Sequence, residues 1–193
     1  MIVAIDYDGT VADTNLEKVK WIKAHRGEDL SRWECSRTRC VPLIGINDYE
    51  RMIAVVYERD STLRAQPVPG ALDAIRALAA SDQVYIVTAR PQRRIAFARE
   101  WLSAHGILLH IAGIETSVGS SKGEICRRIG AEALVDDDER HLQHEDIVGV
   151  RRILLHHGCP PGALSIPGVS FCTTWSQVME RLAQGSAAPH DGT

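Results

Sequence analysis

Four apolar residues in unbroken succession, Ile2-Val3-Ala4-Ile5, stop abruptly in the polar turn Asp6-Tyr7-Asp8-Gly9-Thr10. A run this short and without alternation fits a strand covered on both faces, which is the condition of a parallel sheet. The pattern resumes after Gln66-Pro67-Val68-Pro69-Gly70, a stretch that breaks the chain. Leu72, Ile75 and Leu78 mark one helix face, and Val84-Tyr85-Ile86-Val87 a strand. Ile95, Ala98, Trp101 and Leu102 mark a second helix that Gly106 ends. A short strand is expected over Leu108 to Ile111. Ser121 and Glu124 form a capping box opening a helix over 121–129, which Gly130 closes. Ala133-Leu134-Val135 is a strand running into three aspartates, and further strands are expected at 153–155 and 169–171. Thr174 with Gln177 forms another capping box, opening a helix to about Leu182. Strand–helix alternation of this kind predicts an α/β chain with a mainly parallel sheet flanked by helices. Ligands of such sheets sit at the carboxyl ends of the strands.

The segment between the first strand and residue 67 reads differently. Leu16, Val19 and Ile22 recur at helical spacing, with Gly27 as the stop. The stretch from Ser31 to Cys40 has no period and reads as a loop. Tyr49, Met52, Ile53, Val56 and Tyr57 then fall at i, i+3, i+4, i+7 and i+8, with Asp48 as the expected N-cap. The expected organisation is a catalytic core of residues 1–13 and 67–183, a small helical cap of 14–66 inserted after the first strand, and a flexible tail of 184–193.

Composition narrows the function classes. With 45% hydrophobic residues in 193, a substantial core can be buried. A formal charge of −3 gives no general field for nucleic acid, though a few positioned donors can still hold a phosphate. The five cysteines match no strong zinc spacing, and Cys35 and Cys40 are expected to remain thiols. Charges begin at Asp6, against a signal peptide, and no apolar run reaches the roughly 20 residues of a membrane span. A cytoplasmic protein without membrane partners is expected.

The residues that carry chemistry fall at predicted strand ends: Asp6 and Asp8 after the first strand, Thr88 after the second, and Asp136, Asp137 and Asp138 after 133–135. Lys122 lies at the start of a helix. Carboxylates crowded at one edge repel unless a cation sits among them, and an all-oxygen set suits magnesium. Asp6 is placed to attack a phosphorus atom, and Asp8 to protonate the leaving oxygen and then deprotonate water. Gly9 allows the backbone to approach a phosphate closely, Thr88 offers a hydroxyl, and Lys122 adds positive charge at a helix N-terminus. Each piece has a plainer reading. The first turn resembles a calcium loop but lacks the third oxygen ligand before the glycine, the aspartates alone would be a solvated turn, and Lys122 alone a surface lysine. Order and spacing together carry the reading.

That order resembles the haloacid dehalogenase superfamily over essentially the whole chain. Asp6-Tyr7-Asp8-Gly9-Thr10 is similar to its DxDGT motif, Ile86-Val87-Thr88-Ala89-Arg90 to its second motif, Lys122 to its third, and Leu134-Val135-Asp136-Asp137 to its acidic fourth. The resemblance implies a Rossmann-like core, magnesium, and an aspartyl-phosphate intermediate. By it, Asp6 is the nucleophile, Asp8 the acid/base and, through its backbone carbonyl, a metal ligand. Asp6 and Asp136 or Asp137 complete the metal site; Asp138 is an extra acid beyond the usual pair, which leaves the register of ligation open by one residue. Gly9, Thr10, Ala89 and Arg90 are expected at the substrate phosphate. The second aspartate of the first motif separates the chain from dehalogenases proper.

The helical insert, Pro69-Gly70-Ala71 and the late helix with Trp175 resemble the 5′(3′)-deoxyribonucleotidase branch. Thr88-Ala89-Arg90-Pro91 departs from its Thr-Ser-Pro and resembles the phosphatase domain of polynucleotide kinases. A nucleoside monophosphate is therefore the first expected substrate, and a nucleic-acid 3′-phosphate end the alternative. Arg90, Arg93 and Arg94 serve either, or form an exposed basic helix face. Trp21, Trp33 and Tyr49 are candidates to stack on a base, or simply core. His25, His105, His110, His141, His144, His156 and His157 need no role, although His156-His157 follows a strand near the site edge. A non-catalytic phosphate- or partner-binding domain is the third reading, and the presence of both Asp6 and Asp8 argues against it.

Overall fold

A computed structural model describes residues 1–143, 147–157, 159 and 166–184. Six strands make one parallel sheet in the order β3-β2-β1-β4-β5-β6: β1 (Ile2–Ile5), β2 (Gln83–Thr88), β3 (Gly113–Thr116), β4 (Ala133–Asp136), β5 (Arg151–Leu155) and β6 (Val169–Cys172). β1 lies at the centre, pairing Ile5 with Ile86 of β2 and with Val135 of β4. The helices are α1 (Thr14–Arg26), α2 (Arg37–Ile44), α3 (Ile46–Val56), α4 (Arg59–Arg64), α5 (Ala71–Leu78), α6 (Gln92–Ala104), α7 (Lys122–Ile129), α8 (Glu139–Leu142) and α9 (Trp175–Gln184).

The two faces of β1 bury different sets. Val3 and Ile5 join one cluster with Ile75 of α5, Trp101 of α6 and Val178 of α9. Ala4 joins the other with Ile125 and Cys126 of α7. A strand buried on both sides has no reason to alternate, which is why the run is continuously apolar.

Between β1 and α5 the chain makes an excursion through α1 to α4. It leaves and returns at one neck: the Asp13 N–H donates to the Gln66 carbonyl at 2.7 Å, and the Val68 N–H to the Val11 carbonyl at 2.9 Å. The Trp101 indole donates to the Ala65 carbonyl at 2.8 Å, so the neck is tied to α6. Ile22, Cys35, Cys40, Ile44, Tyr49, Met52 and Val56 form a third apolar cluster wholly inside this segment. Cys35 and Cys40 are separate buried thiols.

Several expectations need correction. The stretch 31–40 is not a plain loop: a 3₁₀ turn spans Arg32–Cys35, and α2 follows with Pro42 inside it. α3 begins at Ile46 after Gly45, so Asp48 sits in its first turn and is not the N-cap. Residues Leu108–His110 form a 3₁₀ turn, and the strand comes later, at Gly113–Thr116. Gln177 reaches back to the Thr173 N–H at 2.8 Å, while its own N–H donates to Thr174 Oγ1 at 3.3 Å, so the second capping box is displaced by one residue. Gln184 is helical, and 185–193 of the expected tail, like His144, lie outside the described residues. The box at Ser121 and Glu124, and left-handed Gly27 and Gly130 closing α1 and α7, follow the pattern read from sequence. No helix among the described residues is long and apolar enough to cross a membrane.

Candidate active site

Because β1 lies between β2 and β4, the residues that follow these strands converge on one edge. Asp6 leaves β1 with its N–H donated to the Val135 carbonyl of β4 at 2.8 Å. Lys122, the first residue of α7, places its ammonium between two carboxylates, 2.5 Å from Asp6 Oδ1 and 2.6 Å from Asp136 Oδ2. All three groups are buried. One carboxylate oxygen from each of Asp6, Asp136 and Asp137 lies within 4.8 Å of the others.

The charge balance of this cluster is poor without a cation. Burial pushes the Asp6 carboxyl up to about 7, against the pull of Lys122 and with repulsion from Asp136 and Asp8 adding to it. Burial raises Asp137 well above the usual carboxylate range, with Asp6 the chief repelling neighbour. Lys122 itself stays charged, its burial outweighed by Asp136 and Asp6. Three hard oxygen donors with surplus negative charge fit a magnesium ion. Asp138 lines the same cavity, but its side chain is engaged: it caps α8 at the Arg140 N–H (3.1 Å) and pairs with the Arg140 guanidinium at 2.6 Å. Burial works against the Asp138 carboxylate, yet the Arg140 partner holds it at about 2. The carboxylates that group with Asp6 are thus Asp136 and Asp137.

Gly9 has a steric reason at this spot. Its φ is +81°, and a Cβ there would stand 2.1 Å from Asp137 Oδ2 and 2.4 Å from Asn15 Nδ2. Asn15 in turn donates to Asp137 Oδ2 at 2.7 Å and accepts from the Lys18 ammonium at 2.8 Å.

Arg90 is the largest departure from expectation. It is fully buried, and does not line the site cavity. Its guanidinium forks onto both oxygens of Asp8 at 2.8 Å each and donates to Thr62 Oγ1 at 2.7 Å. The rings of Tyr7 and Tyr57 stack on it at 4.9 and 4.7 Å. The expected cluster with Arg93 and Arg94 is not one basic face. Arg94 pairs with Glu58 at 2.6 Å, and of the three side chains Arg93 is the exposed one. Thr88 Oγ1 accepts from the Arg90 N–H at 3.1 Å. Thr10 is wholly buried, its carbonyl accepting from the Trp175 indole at 2.9 Å.

A cavity of about 330 Å³ opens over the carboxylates. Asp6, Asp8, Ala89, Asp136 and Asp137 line it from the sheet side, and Lys18, Ser36, Arg37, Tyr49, Ile53 and Tyr57 from the inserted helices. Sequence reading missed Asn15, Lys18, Ser36 and Arg37. A helix of mixed polarity such as α1 is ordinarily taken to bury its apolar side, yet here Asn15 and Lys18 are buried while Val19 is half-exposed. His141, given no role, lines the cavity too, with burial and Lys122 holding its imidazole down at about 4. Trp21 stacks on His25 at 4.2 Å and Trp33 carries Arg39 at 4.7 Å, so of the three expected stacking rings Tyr49 is the one on the cavity wall. His156 is buried 3.5 Å from Glu139.

No protein-family model matches this chain, and no curated protein does. Solved structures do. A protein assigned as a phosphoglycolate phosphatase from Lactobacillus plantarum superposes with a TM-score of 0.67 at 12% identity, over 93% of this chain and 97% of that one. A haloacid dehalogenase-like family hydrolase from Streptococcus pneumoniae gives 0.65 at 13%, over 94% and 97%. A magnesium-bound HAD-type hydrolase from Bacillus subtilis gives 0.59 at 15%, over 94% and 97%. The six-stranded, all-parallel, Rossmann-like fold of this chain is thus the fold of haloacid dehalogenase-like hydrolases.

Proposed function

We propose that the protein is a magnesium-dependent phosphomonoester hydrolase working through an aspartyl-phosphate on Asp6, with residues 14–66 acting as the cap over the site. The observation that carries this reading is the Lys122 ammonium shared between Asp6 and Asp136, with Asp137 completing a carboxylate cluster at the floor of a cavity. Asp6, Asp136 and Asp137, with the Asp8 backbone carbonyl, would hold the metal. Bound there, magnesium neutralises the phosphate dianion and the charge that develops on it.

The chain's own residues supply the rest. An Asp6 oxygen bonds to phosphorus as the bond from phosphorus to the leaving oxygen breaks, and Asp8 gives that oxygen a proton. Water then attacks phosphorus, Asp8 takes its proton, and the bond to Asp6 breaks to release inorganic phosphate. Lys122 orients Asp6 and screens its approach to the phosphate. To do its work Asp8 must free an oxygen from the Arg90 fork, which makes Arg90 the positioning residue of the acid/base and not a substrate ligand. Thr88 fixes the turn that carries Arg90.

For the substrate, the resemblance to deoxyribonucleotidases suggests a nucleoside monophosphate, but Tyr49 and Tyr57, the rings on the cavity wall, already carry the Arg37 and Arg90 guanidiniums, which favours another small phosphate ester. The nucleic-acid-end alternative keeps its resemblance at Thr88-Ala89-Arg90-Pro91, but Arg90, Arg93 and Arg94, which were to serve either substrate, do not form one basic face. The test is a phosphatase screen over nucleotides, sugar phosphates and 3′-phosphorylated oligonucleotides, with magnesium and with chelator. Turnover of small monoesters that chelator abolishes is expected; no turnover of any phosphoester would overturn the reading.

A further inference from the structure

The inserted helices bring to the cavity a set of groups that the phosphoryl-transfer chemistry leaves unused. Lys18 is 4% exposed, an ammonium taken almost wholly out of water. Two of its three N–H groups are engaged, with Asn15 Oδ1 at 2.8 Å and the Cys35 carbonyl at 3.2 Å, and neither acceptor carries a charge. Among the described residues it has no carboxylate within ion-pair distance. Ser36 is the N-cap of α2, a position where serine normally turns its hydroxyl to the helix's own free N–H groups. Here it makes no such bond. Its Oγ is buried without a hydrogen-bond partner, in a residue 3% exposed on the cavity wall. Arg37, the first residue of α2, lies over the Tyr49 ring at 5.3 Å and makes no ion pair among the described residues.

Buried polar atoms in native proteins are almost always satisfied, and a buried charge is almost always paired. Two cations and an orphaned hydroxyl on one wall, at the positive end of a helix, make a binding site for an anion. The sheet side of the same cavity already holds the groups that would take the transferred phosphate. We infer that Lys18, Ser36 and Arg37 bind a second anionic group, a carboxylate or a second phosphate, on the leaving-group side of the substrate. This rests on the phosphomonoesterase reading and names its substrate class: small phosphate esters with a distal anion.

A matched set of three-carbon probes tests it with magnesium present: 3-(phosphonooxy)propanoate, propane-1,3-diol bisphosphate, and the neutral 3-hydroxypropyl phosphate, beside p-nitrophenyl phosphate and thymidine 5′-monophosphate. At least one anionic probe is expected to exceed the neutral probe by about tenfold or more in kcat/KM, the scale of one charge-assisted hydrogen bond. Which of the two leads tells carboxylate from phosphate. Arg37→Gln, chosen because Arg37 is only half-buried, is expected to collapse that ratio towards one, with Ser36→Ala reducing it less. Equal kcat/KM for charged and neutral probes, a ratio untouched by Arg37→Gln, or thymidine monophosphate outrunning both anionic probes overturns the inference while leaving the phosphatase intact. Failure to hydrolyse any of the five overturns both.

Discussion

At the scale of single residues, the decisive contact is the fork between Arg90 and Asp8. Both groups are buried, so removing the guanidinium leaves a carboxylate without a partner. Arg90→Met is expected to cost about 3–5 kcal/mol of stability, measured by denaturant unfolding. Arg90→Lys keeps the charge but not the fork, and should fold while losing about tenfold or more in kcat. Asp8→Asn should be severely impaired with alkyl phosphates and least so with p-nitrophenyl phosphate, whose leaving group needs no proton; equal losses would contradict the acid role. Gly9→Ala would drive a methyl into Asp137 and Asn15 from a left-handed backbone. It is expected to lower stability by about 1–3 kcal/mol and activity by roughly a hundredfold, read by thermal melts and steady-state rates. Asp6, Lys122, Asp136 and Asp137 were legible in the sequence because each stands where an apolar run ends or a capped helix begins. Asn15 and Lys18 were not, because an isolated polar side chain is read as solvent-facing; Arg90 was read as a site residue but at the substrate phosphate, and only the packed structure shows its fork on Asp8.

At the scale of elements, the inserted segment was legible as helical, but its inner face was not. The pattern over 46–57 is strongly amphipathic and gave α3, whereas 31–40 has only Trp33, Cys35 and Cys40 as apolar residues, and the apolar half of α2, interrupted by Pro42, comes at its end, so 31–40 offered no period to find. What holds α1, α2 and α3 together is a compact apolar cluster that includes two thiols. Burial pushes Cys35 up to about 12 and Cys40 up to about 11, from an ordinary value near 9. Both therefore stay protonated in the folded protein at pH 8, and reaction with a disulfide reagent should be far slower for these two thiols than in denaturant, as site-resolved mass spectrometry would show. The sign of the linkage follows. The unfolded chain loses these protons first, so their contribution to stability is intact below about pH 9 and declines as pH rises towards 12. Helix α6 anchors the neck of the segment through one indole hydrogen bond, and Trp101→Phe should cost about 1 kcal/mol from its loss.

At the scale of the whole molecule, the strand order places β1 between β2 and β4, and a central strand with neighbours of this kind gathers their carboxyl ends onto one cluster. The sheet was foreseeable from alternating apolar runs and capped helices; the late start of β3 was not, because Leu108–Ile111 is the more apolar stretch and Gly113–Thr116 is only half-buried. Gathering three buried carboxylates at one point, with one ammonium between two of them, is expected to make the fold sensitive to cations. Magnesium at a hundredfold excess over its Kd should stabilise the protein by about 2.7 kcal/mol, chelator should reverse this, and Asp137→Asn should abolish most of the shift. The central claim is covalent catalysis by Asp6. Its most direct test is to quench the protein during turnover of p-nitrophenyl phosphate with magnesium, reduce with borohydride, and map the peptides by mass spectrometry. Conversion of Asp6 to homoserine, absent in Asp6→Asn and without substrate, is the predicted result; rapid turnover with Asp6 unmodified, or with the label on another residue, would contradict it.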